Sequence, residues 1–143
     1  MNVQEVVPFL GVSDVERSIR FYVDGLGFAM TKQWVDAGKL RWCWLEKDNA
    51  SLMLQEFWKD GIHIGRPDGK LGQGVSFIFQ CMDALAIFRD FSSRGIQGSE
   101  PFVGNAMWVF SVSDPDGYRI EFQGPTDVPE ETRLSQLSPE SFA

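Results

Sequence analysis

The feature that most limits how this chain can fold is that it carries one pattern of residue types twice, at an offset of 68. Val7 falls on Val75, Phe9 on Phe77, Leu10 on Ile78, Gly27 on Gly95 and Phe28 on Ile96. The match continues through Trp42 with Phe110, Asp48 with Asp116, Leu52 with Ile120, Met53 with Glu121, Leu54 with Phe122 and Gln55 with Gln123. Identities are few, and Phe21 meets Phe88 only after a one-residue slip. Whatever the first half folds into, the second half must fold into as well.

Each half reads as a strand, a helix and three strands. Residues 5–12 form an apolar run with Pro8 marking an edge or bulge. Ser13-Asp14-Val15-Glu16 has capping-box spacing, with Ser13 as the cap. Val15, Ile19, Tyr22, Val23 and Leu26 follow at helical spacing, and Gly25 and Gly27 end the helix. Strands follow near 28–35, 39–46 and 50–57, the last two joined by a Lys47-Asp48-Asn49 turn. The second half repeats this order: strand 74–81, helix 83–93, then strands near 100–104, 106–113 and 118–123. Its last turn is Asp114-Pro115-Asp116-Gly117. The expected architecture is α+β, two βαβββ modules with eight strands: module one over 5–57, a connector over 58–73, module two over 74–124 and a tail over 125–143. Four glycines and one proline make the connector a candidate lid. The tail lacks a sustained apolar stripe and reads as a surface arm or partly disordered.

Charge narrows the partners. The formal net charge of −7 repels a phosphate backbone or an anionic membrane. There is no apolar run of membrane-spanning length, and the N-terminus has neither a basic patch nor an apolar signal region, which together predict a cytoplasmic protein. Cys43 and Cys81 sit in apolar runs without metal-type spacing and read as reduced core thiols. No Gly-x-Ser-x-Gly elbow, phosphate loop or dinucleotide fingerprint appears.

Two βαβββ modules, the stretch from Val12 to Tyr22 leading to Gly25-Leu26-Gly27-Phe28, and the stretch from Phe110 through Asp114-Pro115-Asp116-Gly117 to Phe122 together resemble the vicinal oxygen chelate superfamily. That group includes glyoxalase I, extradiol dioxygenases and bleomycin-resistance proteins. The resemblance spans about residues 5–125 and implies sheets curved around a cleft, often in a homodimer. Exposed sheet edges also favour a dimer. In metal-binding members the first and last strands of each module carry ligands. The corresponding positions here are Val7, Met53, Val75 and Glu121, of which only Glu121 suits a hard divalent ion. His63, the single histidine, lies in the connector. No metal and no cofactor are therefore expected.

Strand alternation counted from Glu121 puts Val7, Phe9, Met53, Gln55, Phe77, Phe79 and Gln123 on its face, with Val75, and the resemblance implies that Arg41, Cys43, Val109 and Ser111, with Met107, join them to line a mostly apolar cleft. Trp42, Trp44, Trp108 and Phe110 take the opposite parity, under the helices, unless a one-residue slip reverses them. Trp34 and Trp58 either cap the cleft or shield the sheet edge. Glu121 is either a paired carboxylate, with Arg41 as its partner, or an anchor for a cationic ligand. The reading is a metal-free binder of a small organic ligand, cationic or aromatic, resembling bleomycin-resistance proteins. The alternative is a metal-dependent lyase, isomerase or dioxygenase of the same superfamily.

Overall fold

The computed structural model describes residues 1–58 and 65–137. The chain divides into two compact units, Met1–Leu71 and Gly72–Ala143. Unit one comprises β1 (Phe9–Val12), helix α1 (Val15–Ile19) continued by a π-helical turn (Arg20–Gly25), β2 (Ala29–Asp36), β3 (Lys39–Lys47) and β4 (Ala50–Glu56). Its sheet runs β1-β4-β3-β2, with β1 parallel to β4 and the other pairs antiparallel. Unit two repeats the order with β5 (Ser76–Gln80), α2 (Ala84–Ser93), β6 (Phe102–Gly104), β7 (Met107–Ser113) and β8 (Arg119–Pro125), in the order β5-β8-β7-β6. The α+β reading as two βαβββ modules stands. Among the described residues the strands form two four-stranded sheets, and β1 is shorter than the apolar run at 5–12.

Both helices begin at an aspartate. Asp14 holds an extended backbone, and its carboxylate accepts the N–H groups of Glu16 and Arg17 at 3.1 and 3.2 Å. Asp83 does the same for Ala86 at 3.0 Å. Ser13 lies one residue outside the helix, where its hydroxyl accepts from Arg66 at 2.8 Å. The cap is thus Asp14 rather than Ser13. Asp14→Ala is expected to lower unfolding free energy by about 1 kcal/mol in urea titration, and Ser13→Ala by clearly less. The reverse order would move the cap back to Ser13.

One inserted residue explains why the two halves drift out of step. The cap aspartates Asp14 and Asp83, and the buried helix aromatics Tyr22 and Phe91, stand 69 apart, whereas the closing glycines Gly27 and Gly95 stand 68 apart. The surplus residue of unit one is taken up in the π turn. There the Leu26 N–H donates to Phe21 O at 2.9 Å, and the Phe28 N–H spans six residues back to Tyr22 O. The corresponding Ile96 N–H spans five residues back to Phe91 O.

Each helix covers one sheet face and buries a core there. Leu10, Val12, Val15, Tyr22, Leu26, Cys43, Leu45 and Leu54 do so in unit one. In unit two the core is aromatic: Phe91 lies edge-on to Phe122 and Phe110 at 5.2 and 6.0 Å, and Phe110 stacks on Phe122 at 5.3 Å.

The described part of the tail, residues 125–137, is tied to unit two more closely than its composition suggests. Val103 donates to Thr132 O and accepts from the Glu131 N–H, both at 2.9 Å, so the tail extends the sheet beside β6. The Glu130 carboxylate accepts the N–H groups of Asn105 and Ala106 at 2.7 and 2.8 Å, pinning a turn whose φ values are +52° and +61°. Residues 59–64 of the connector, including His63, lie outside the described residues, as do 138–143. The lid reading is therefore described only in part; Leu71, at its far end, is buried. No helix of the described residues is long and apolar enough to cross a membrane.

Candidate functional site

Strand pairing assigns every residue to the helix side or the far side of its sheet. In unit one, Leu10, Leu54, Cys43 and Leu45 are buried toward the helix. The far side therefore carries two rows across the strands: Phe9, Met53, Trp44 and Lys32, then Gly11, Gln55, Trp42 and Trp34. Phe9 and Trp34 are 43% and 40% exposed. Trp58 stacks on Trp34 at 6.1 Å, and the Arg41 guanidinium lies 4.6 Å over the Trp58 ring. Lys32 Nζ sits 4.6 Å over Trp44, whose indole N–H donates to Glu46 at 3.0 Å. The Phe57 ring occupies the place a Cβ on Gly11 would take. This face is an aromatic platform edged by cations.

The far side of unit two is polar. Its rows are Ser76, Arg119 and Ser113; Ile78, Glu121 and Ser111; and Gln80, Gln123, Val109 and Phe102. The Glu121 side chain is 12% exposed and accepts from Arg119 at 2.9 Å and from Gln123 at 2.6 Å. Gln123 in turn accepts from Gln80 at 3.0 Å. The cation on Glu121 is thus Arg119, two residues away on the same strand. A cationic ligand would have to displace an ion pair to reach this carboxylate.

Several residues lie where the sequence did not put them. Cys43 is fully buried on the helix side, and Trp42 and Trp44 take its place on the far side. The cause is the β3–β4 turn. Its loop is the two residues Asp48 and Asn49, pairing Lys47 with Ala50 and hence Trp44 with Met53. Read as a three-residue turn including Lys47, the same sequence pairs Cys43 with Met53. Arg41 sits at a bulge, skipped between the pairs Trp34–Trp42 and Val35–Leu40. Phe77 and Phe79 also lie on the helix side, level with Ile120 and Phe122, and Ile78 faces outward at 49% exposure. A parallel pair has no hairpin turn to set its register. Phe77 packs near Tyr118 at 6.4 Å and Phe79 near Phe122 at 5.3 Å, so this register half-buries two aromatic rings and leaves one isoleucine outside. Val7 precedes β1 and is half-buried, while Val75 precedes β5 and is 50% exposed. Phe9, Met53, Gln55, Val109, Ser111, Glu121 and Gln123 all occupy far sides. Trp108 and Phe110 are buried on the helix side. The β3–β4 turn length sets Trp42 and Trp44 level with Gln55 and Met53, and the β2–β3 pairing brings Trp34 to Trp42.

Burial also governs the thiols. Desolvation raises the Cys43 pKa from 9.0 to about 11, against a smaller lowering by a backbone hydrogen bond from Leu54. Desolvation and the nearby Asp83 raise Cys81 as well. Neither is an activated nucleophile. Because the folded pKa of Cys43 lies above the unfolded one, its neutral thiol supports the fold fully below pH 9, and that support fades toward pH 11. Cys43→Ala should therefore flatten the loss of stability over that window in denaturant titrations. An unchanged slope would contradict the burial argument.

The sequence profile of the Glyoxalase/Bleomycin resistance protein/Dioxygenase superfamily matches residues 4–122. The chain belongs to that superfamily. It is 28% identical over 116 residues to a "Probable lactoylglutathione lyase" of Synechocystis sp. (strain ATCC 27184 / PCC 6803 / Kazusa), covering 77% of this chain and 86% of the relative. Its fold is similar to an antibiotic binding protein from Streptomyces sp. CB03234, with TM-score 0.65, 21% identity, and coverage of 88% of this chain and 99% of that one. It is also similar to the bleomycin-binding protein from Streptomyces verticillus, solved with copper(II)-bleomycin, with TM-score 0.63, 19% identity, and coverage of 87% and 98%.

The superfamily's metal positions can now be set on the strands. Val7 lies two residues before Phe9, and the residue two before Ile78 is Ser76, so Ser76 rather than Val75 is the counterpart of Val7. The four positions are then Val7, Met53, Ser76 and Glu121, with the one carboxylate already held by Arg119 and Gln123. Among the described residues no three His, Cys, Asp or Glu side chains gather to hold a metal ion. Within either unit these positions supply at most one carboxylate, short of the about three nitrogen, oxygen or thiolate ligands that a catalytic divalent metal needs.

Proposed function

We propose that this protein binds a small organic ligand without a metal, sequestering it against the aromatic platform of unit one. The observation that carries this reading is the far-side row of Phe9, Met53 and Trp44 flanked by Trp42 and Trp34: apolar, partly exposed, and useful for stacking a flat molecule. Val7 and Gln55 extend the surface within the same unit. The antibiotic-binding and bleomycin-binding proteins of like fold support the same class of function. Assembly as a homodimer in the cytoplasm, with no nucleic-acid or membrane partner, belongs to this proposal. A single 16.2 kDa species in sedimentation at micromolar concentration would contradict the dimer.

The relative named as a lactoylglutathione lyase favours a second reading, metal-dependent lyase activity. Purified protein supplied with Zn, Ni, Mn or Fe separates the two. The binder reading expects substoichiometric metal and no formation of lactoylglutathione. One tightly held ion per chain with turnover, both lost in Glu121→Ala, would establish the lyase instead.

A further inference from the structure

We infer that the platform of unit one selects flat aromatic anions, such as aromatic carboxylates, over cations; the inference rests on the binding role proposed above and names its ligand class. Three aromatic side chains there each carry a protein cation: Lys32 over Trp44 at 4.6 Å, Arg41 over Trp58 at 4.6 Å and Arg66 near Phe57 at 5.9 Å. Two of the cations are only partly committed elsewhere. Arg66 donates to Ser13 at 2.8 Å, and Arg41 Nε is buried with no hydrogen-bond partner among the described residues. Of the two β3 and β4 acids nearest the platform, one keeps its charge at the platform's edge and the other is ion-paired on the helix side. Glu46 accepts the Trp44 indole N–H, and Glu56 points to the helix side, where it takes the Val15 N–H at 3.2 Å and Lys39 at 3.0 Å.

A cation over a ring face satisfies the ring's negative quadrupole and leaves its own outer side positive. A ligand stacked beside these rings therefore meets positive charge at its rim. An ammonium on the ligand would compete with Lys32 and Arg41 for the same ring faces, while a carboxylate would pair with them. The chain's net charge of −7 does not reverse this. Its distant carboxylates act beyond a screening length of about 8–10 Å at physiological salt, whereas the platform cations lie within contact distance.

Three naphthalenes of similar size and different charge test this: 1-naphthoate, 1-naphthylmethanol and 1-naphthylmethylammonium, titrated by tryptophan quenching. Naphthoate should bind about tenfold or more tighter than the ammonium, with the alcohol between, and added salt should narrow the spread. Lys32→Gln and Arg41→Gln should each weaken naphthoate several-fold and leave the alcohol nearly unchanged. Lys32 is exposed, so its variant keeps the test valid even if Arg41→Gln perturbs the bulge. Equal binding of all three overturns the charge preference alone, and an ammonium that binds tightest reverses it. Failure of all three to bind overturns the binding role as well. Naphthoate affinity that falls as protein concentration rises would assign the face to a second copy of the chain and overturn the inference.

Discussion

Truncating Phe91 to alanine is expected to lower the unfolding free energy by about 3–5 kcal/mol, the range for removing a large buried aromatic. Phe91 is 1% exposed and lies edge-on to both Phe110 and Phe122, which stack on each other, so its removal opens a cavity bordered by two rings that cannot both close it. Phe102, 43% exposed on the far side of the same sheet, is the control: Phe102→Ala should cost less than about 1 kcal/mol. Phe79→Ala should resemble Phe91→Ala in kind, because Phe79 packs on Phe122. On the sequence reading that put Phe79 in the cleft, it would instead have cost affinity. Denaturant titration of the three variants distinguishes these outcomes.

Trp42→Leu should do the opposite, weakening a bound aromatic by about ten- to a hundredfold while changing stability by less than about 1 kcal/mol. Trp42 stands between Gln55 and Trp34 in the middle of the platform, away from the buried core of Leu54 and Leu45. Its indole therefore contributes to ligand contact and little to the fold. Cys43→Ala, one residue along the strand, should show the reverse pattern because Cys43 is buried among core leucines. Adjacent positions with opposite phenotypes would fix the register of β3 experimentally.

The order of elements was legible in the sequence because it depends on local signals that survive small errors: the glycines closing each helix, the Asp-Pro-Asp-Gly turn and the alternation in β4, β7 and β8. The faces of β3 and β5 were not, because parity depends on counting every residue between two strands. A constant offset of 68 holds for Met53 and Glu121, but structurally equivalent residues stand 69 apart at Phe9 and Ile78 and 67 apart at Trp44 and Ser111. Counting the β3–β4 turn as two residues would have turned Trp44 outward from sequence alone. The Phe77, Ile78 and Phe79 run offered no such help, being apolar at both parities. The partner of Glu121 stands two residues away as Arg119, on the same face of the same strand, a spacing that alternation alone makes legible.

Calorimetric titration of 1-naphthoate into EDTA-treated wild type and the Trp42→Leu variant, each shown free of metal by elemental analysis, asks whether the aromatic face holds a ligand without metal. Saturable binding to the metal-free wild type, at least about tenfold weaker in the variant, is the expected result. Binding that appears only after a divalent ion is restored, or that is the same in both proteins, would contradict it.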